Sequence, residues 1–201
     1  MMPDEELRAL AEQKAKLFDR EYGADRYSDM IYIASVITSA CRQLGVEIPV
    51  IVGGLAVEIY TSGGYSTYDI DFIVESESSI RAIMTNLGFK HQPGYRYWSH
   101  TLFGDIVEFP PPPLDGSREK ITVVQLDSGE ECHFLGIEDV IIGRLEEFVH
   151  WDKKRLNSHS AVQLRLLLRA QAENIDYEYL HEQTSYRQLH EALNLILANM
   201  D

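Results

Sequence analysis

The chain has little of what holds a small secreted domain together. Only two cysteines occur in 201 residues. Cys41 and Cys132 lie far apart in unrelated contexts, so no disulfide framework is expected and both read as free thiols of a reducing compartment. Long apolar runs are missing too, and none approaches the roughly 18 residues that a membrane-spanning helix needs. The start, Met1-Met2-Pro3-Asp4-Glu5-Glu6, has neither the basic residues nor the apolar stretch of an export signal. The expectation is a cytoplasmic protein without membrane association. Positive charge is also scarce: 18 lysines and arginines stand against 32 acids, a net charge of −14. A surface of that sign repels phosphate backbones at long range, so extended DNA binding is not expected. Any contact with nucleic acid has to use a local basic patch, and the stretch from Arg144 to Arg169, with Lys153, Lys154, Arg155 and Arg165, offers one.

What is present is ordinary and sufficient. Hydrophobic residues make up 45% and charged residues 25%, which excludes disorder and lets the chain bury a real core. The length suits one domain, or one domain with a helical appendage. Leu7, Leu10, Ala11, Lys14, Leu17 and Phe18 recur at helical spacing, and a second helix is expected over about 25–44, ended by Gly45. Then the period changes. Ile48 to Val52 reads as a buried strand that stops at Gly53-Gly54; Leu55 to Tyr60 reads as a helix, and Asp69 to Glu75 as a second strand. A helix over Ser78 to Leu87 follows. Phe89 to Trp98 and Thr101 to Phe109 are expected to pair as a hairpin around Ser99-His100, and Ile121 to Leu126 and Glu131 to Leu135 to be short strands. Between them, Pro110 to Pro113 forbid regular hydrogen-bonded structure. From Ile137 on the pattern is helical: Ile137 to Trp151, His159 to Asn174, Asp176 to Gln183 and Ser185 to Met200. The expected class is α+β, a mixed β-sheet core flanked by helices with a helical C-terminal tail. The core, with its N-terminal helices, is expected over 1–136 and the helical region over 137–201.

One stretch concentrates chemistry: Val50-Ile51-Val52-Gly53-Gly54-Leu55-Ala56, then Thr67-Tyr68-Asp69-Ile70-Asp71-Phe72-Ile73. Asp-x-Asp and Gly-Gly are each cheap patterns by themselves. In the order strand, glycine pair, helix, strand they become specific. Strand alternation turns Asp69 and Asp71 to one face, their Cα atoms roughly 6.6 Å apart. Adjacent carboxylates repel unless a cation lies between them. Mg²⁺ suits carboxylate and phosphate oxygens, and two ions about 3.5–4 Å apart can clamp a phosphoryl transfer. Glycine lets backbone approach a phosphate, and the helix N-terminus behind it favours negative charge. The plain alternative is a strand-to-helix turn with two exposed aspartates. The histidines show no metal-binding spacing, and no Gly-x-Ser-x-Gly frames a nucleophile. Tyr95, Tyr97 and Trp98 alternate as on a strand, which commonly means packing and less commonly stacking on a nucleobase.

The segment from Val50 to Glu75 resembles the minimal nucleotidyltransferases of the DNA polymerase β superfamily, most closely the bacterial group of toxin–antitoxin and abortive-infection loci. The resemblance implies a mixed sheet flanked by helices, two Mg²⁺ ions, and transfer of a nucleotidyl group from a nucleoside triphosphate to a hydroxyl acceptor: a small molecule, a protein or an RNA end. Carried onto this chain, Gly53, Gly54 and Thr67 would hold the triphosphate while Asp69 and Asp71 bind metal. The third acid of the family sits on a later strand between hydrophobic residues. Val107-Glu108-Phe109 fits, with Asp105 as a fallback, and Glu108 would ligate the catalytic metal and help deprotonate the acceptor. Arg144, Lys153 and Lys154 match basic positions of the family's helical tail as phosphate contacts. Two departures stand out: Tyr65 replaces an arginine and Leu55 a phosphate-contacting serine. They leave a second reading open, a weak or inactive nucleotidyltransferase-like interaction protein of a toxin–antitoxin pair with a partner protein.

Overall fold

The computed structural model describes residues 4–23, 25–91 and 94–200, without the side chains of Glu77 and Asp105. Among the described residues the chain forms eight α-helices and one mixed sheet of seven strands. The α+β class expected from the pattern is the one observed. Two compact units divide it. A sheet unit comprises Met1–Gly54, Tyr68–Leu114 and Ile121–Phe134; a helical unit comprises Leu55–Thr67, Asp115–Lys120 and Leu135–Asp201.

In the sheet unit, α1 (Asp4–Phe18) and α2 (Arg26–Gln43) precede β1 (Val50–Val52), whose β-branched triplet is cut off at Gly53 as the chain turns into α3 (Gly53–Tyr60). The glycine pair therefore opens the helix instead of preceding it. β2 (Ile70–Ile73) is shorter than the Asp69–Glu75 strand expected, so Asp69 stands one residue ahead of the ladder. α4 (Glu77–Leu87) ends at Gly88 in the left-handed conformation. β3 (Lys90–His91), β4 (Tyr97–His100) and β5 (Gly104–Glu108) follow, then β6 (Thr122–Gln125) and β7 (Glu131–Phe134). The strand order is β3-β4-β5-β2-β1-β7-β6. β1 runs antiparallel to β2 and parallel to β7, and β2 runs parallel to β5.

The expected hairpin around Ser99-His100 is corrected: both residues lie inside β4, and the turn is at Thr101–Phe103. The reason is tertiary. His100 is 4% exposed and its ring packs against Phe18, Phe89 and Phe103. Burying that ring in an aromatic cage outweighs the local preference of a Ser-His pair for a turn.

Alternation along the strands separates the two faces of the sheet. Ile51 pairs with Phe72 on one side and Phe134 on the other, Ile70 pairs with Val107, and all five side chains are buried completely. This is the core face, against which α2 packs, with α1 and α4 completing the layer. Phe72 also stacks on Phe109, ring centroids 5.8 Å apart; truncation of such a core aromatic costs about 3–5 kcal/mol. α2 is buried on more than one side, from Met30 through Cys41, as a helix between a sheet and two helical neighbours should be.

The helical unit is built on α5 (Ile137–His150), which packs against α6 (His159–Ala170), α7 (Tyr177–Gln183) and α8 (Arg187–Leu197). Ile137, Val140, Ile141, Leu145 and Phe148 give α5 its buried stripe, and Leu189, Ala192, Leu193 and Ile196 give α8 its own. α6 and α8 end earlier than periodicity alone suggests, at Ala170 and Leu197. Among the described residues no helix is long and apolar enough to cross a membrane.

Candidate active site

The face of the sheet opposite the core carries one transverse row of side chains. Val52 is the register partner of Asp71, Asp71 of Glu108, and Glu108 of Tyr97. Partners across neighbouring strands share a face, with Cβ atoms about 4.5–5.5 Å apart. The row therefore crosses four strands, β1-β2-β5-β4, and all four of its residues are half-buried. Two of the acids singled out in the sequence, Asp71 and Glu108, are thus neighbours despite 37 positions of separation (108 − 71). Asp69, half-buried just ahead of β2, is two positions before Asp71 but outside the paired register. The side chain of Asp105 lies outside the described residues. A bulge in the β4–β5 pairing falls between Trp98 and Ser99, with Trp98 opposite Val107 and Ser99 opposite Asp105.

Gly53 closes the β1 end of the row. Its φ is +64°, and a Cβ built there would overlap the Asp71 carboxylate, standing 3.0 Å from Cγ and 3.2 Å from Asp71 Cβ. The backbone is thus pressed against the carboxylate at a point where only glycine fits, for both conformational and steric reasons. On the other side, Arg96 reaches Glu108, Nη2 to Oε2 3.4 Å, from a side chain that is 83% exposed. Arg96 was not singled out in the sequence. Its partner is twelve residues away (108 − 96) across a strand pair, so no local pattern announces it.

Asp69, Asp71 and Glu108 offer only oxygen donors, the chemistry Mg²⁺ accepts. Among the described residues, however, no three His, Cys, Asp or Glu side chains form a group that could hold a metal by themselves. Mg²⁺ commonly takes one or two carboxylates and completes its shell with water and substrate phosphates. The pair Asp71 and Glu108, with the bare backbone of Gly53 beside it, fits that mode and not an all-protein cage.

The other expected contacts belong to the helical unit. Thr67 is 6% exposed and its backbone N–H donates to Oε2 of Glu58 at 2.9 Å. Glu58, itself 3% exposed on α3, is a second residue that sequence reasoning missed; it fixes the segment that leads into Asp69. Leu55, directly after the glycine pair, is fully buried, and Tyr65 packs its ring on His159 at 5.3 Å. Arg144 is ion-paired to Glu147 at 2.5 Å. Lys153 donates to the His150 carbonyl at 2.6 Å, and Lys154 lies 3.5 Å from Glu191. Both lysines adopt positive φ, 51° and 58°, a conformation that costs non-glycine residues about 1 kcal/mol or more and tends to be kept at functional loops.

No family model matches the chain, and no curated protein matches it in sequence. Solved structures do. An antigenic nucleotidyltransferase-like protein from Paracoccidioides brasiliensis superposes with a TM-score of 0.63 at 14% identity, covering 86% of this chain and 88% of that one. The antibiotic-resistance factor ANT(2'')-Ia gives 0.56 at 16% identity, covering 85% and 97%. The fold is nucleotidyltransferase-like. At such identities the likeness is one of fold.

Proposed function

We propose that this chain is a Mg²⁺-dependent nucleotidyltransferase that moves a nucleoside monophosphate from a nucleoside triphosphate to a hydroxyl. One observation carries the reading: the Gly53 backbone abuts the Asp71 carboxylate while Glu108 stands in register beside it. Two acids side by side are costly unless a cation neutralises them, and a side chain at the glycine position would close the approach of a phosphate.

In this reading Asp69, Asp71 and Glu108 hold Mg²⁺ together with triphosphate oxygens. Gly53 and Gly54 lie along the triphosphate, whose charge the N-terminal amides of α3 favour. When bound, the metal polarises the phosphoryl oxygens and neutralises charge that develops in the transfer. The acceptor oxygen bonds to the α-phosphorus, the bond from that phosphorus to the pyrophosphate oxygen breaks, and pyrophosphate leaves with the electron pair. Glu108 takes the proton of the acceptor hydroxyl. The acceptor is a small molecule, a protein hydroxyl or an RNA end; since ANT(2'')-Ia is an antibiotic-resistance factor, antibiotics belong among the small molecules to be tried.

The test is calorimetric titration with Mg²⁺ and each of the four nucleoside triphosphates, comparing the natural chain with Asp69→Asn and Asp71→Asn. Tight binding confined to the natural chain supports the proposal, and equal binding by all three rejects it. A second reading rests on the fully buried Leu55, at the position where the resembling family contacts phosphate. There the chain would be an interaction protein of a toxin–antitoxin pair. Co-purification with the product of an adjacent gene, with no labelled nucleotide transferred, would favour this second reading; Asp71-dependent labelling would end it.

A further inference from the structure

We infer that the acceptor docks at the β4 end of the acidic row, on a platform of Tyr97 and Tyr95, and that it presents a nucleotide unit: a base to stack there and a phosphate for Arg96. The inference rests on the nucleotidyltransferase reading and gives that site a direction. In-line displacement sets the entering and leaving oxygens on opposite sides of the phosphorus. The row runs from the glycine pair through Val52, Asp71 and Glu108 to Tyr97. With the leaving pyrophosphate along Gly53-Gly54, the entering hydroxyl arrives from beyond Glu108, where Tyr97 stands. The acceptor's ribose hydroxyl then bonds to the α-phosphorus as the bond to the pyrophosphate oxygen breaks. The electron pair departs with pyrophosphate, and the proton passes to Glu108.

The chemistry at that end is specific. Tyr97 is half-buried beside Glu108, and Tyr95 is 52% exposed with its ring centroid 5.3 Å from that of Tyr97, the planes tilted by 49°. An exposed aromatic surface next to a cation is what a nucleotide needs. Stacking on such a ring strengthens binding by about 5- to 150-fold per base, and the exposed guanidinium of Arg96 can pair with a phosphate. A polycationic acceptor would meet Arg96 at the point of docking. The net charge of −14 keeps a long nucleic acid from closing over the face. The fitting ligand is therefore a single nucleotide or the end of a short oligonucleotide.

The test loads the full chain with Mg²⁺ and α,β-methylene nucleoside triphosphates, then titrates AMP, the trinucleotide ApApA, or spermidine. Binding of AMP marks a free nucleotide as the acceptor, and binding of ApApA alone marks a chain end; either outcome supports the inference. Tyr97→Ala and the exposed-site variant Arg96→Glu should weaken this second binding event at least about tenfold while donor affinity stays within about twofold. Tyr97→Phe should restore stacking. The inference falls if the variants weaken the donor as much as the acceptor, if neither affects the acceptor, or if spermidine binds in place of the nucleotides. A natural chain that binds triphosphate but neither nucleotide rejects only this inference. One that binds no triphosphate rejects the parent reading as well.

Discussion

Two acid pairs in this chain have hydrophobic flanks and opposite settings. Glu138 and Asp139, in the helical unit, are 4% and 5% exposed. Asp139 accepts the Ser117 N–H at 2.8 Å and the Tyr179 hydroxyl at 2.9 Å. Glu138 accepts the Asp176 N–H at 2.7 Å, and Lys120 stands 3.9 Å from it while bonding Asp176 at 2.6 Å. Burial first, and then the Asp139 carboxylate, push the Tyr179 phenol up to about 12, so the donor stays protonated. Asp71 and Glu108, in the sheet unit, face each other across two strands beside a glycine, and the cation that reaches Glu108 is on a largely exposed arm. Acids surrounded by donors of their own chain hold structure together. Acids that stand in register on a half-open face leave room for a cation to approach from outside.

Exchanging the two settings by mutation is the sharpest way to break the contrast. Asp71→Asn should lower nucleotidyl transfer by about 1000-fold, measured by label from an α-labelled triphosphate, while its thermal midpoint stays level or rises. Asp139→Ala should do the reverse. It strands two half-buried donors and should cost about 2 kcal/mol in urea unfolding, with triphosphate affinity of the folded protein unchanged. If both variants lose stability equally, the acids of the sheet are structural too.

Gly53→Ala comes next, with an expected loss of about 2 kcal/mol from the positive φ and the overlap with Asp71. Adding Asp71→Ala should recover part of that loss, a coupling read from a double-mutant cycle. Strict additivity would mean that the close approach is not what the glycine is for.

The smallest effect concerns pH. Burial above all, then Lys14 and Lys90, hold the His100 imidazole below its ordinary 6.5. A histidine depressed in the folded state binds protons more readily when unfolded, so its contribution is complete above about pH 6.5 and is lost as pH falls towards the folded value. His100→Phe, which keeps an aromatic ring in the cage, should flatten the fall in thermal midpoint just below pH 6.5. An unchanged slope would assign that fall to other groups.

Much of this was legible in the chain because it is local. The order strand, glycine pair, helix, strand needs only periodicity and two breakers, and it appears at Val50–Tyr60 and Ile70–Ile73 with ends shifted by a residue or two. His100 was misread because its cage is assembled from the end of α1, the residue before β3 and the following turn, none of which a hairpin rule can see. Glu108 was found by resemblance to a pattern, but its adjacency to Asp71 is a matter of register, which sequence does not print. Glu58 and Arg96 were missed for the same reason. Arg96 meets Glu108 across a strand pair and Glu58 meets the Thr67 N–H beyond the end of its own helix, and each looks like an ordinary surface charge in the one-dimensional string.

The four members of the transverse row come from strands that meet only in the finished sheet. Asp71 and Glu108 are on strands separated by α4, β3 and β4, so no short fragment of the chain carries both acids. Ligand capture is thereby tied to the last stage of assembly: a bound triphosphate would act as a clasp across β1, β2 and β5, hardening the very scaffold that created its berth.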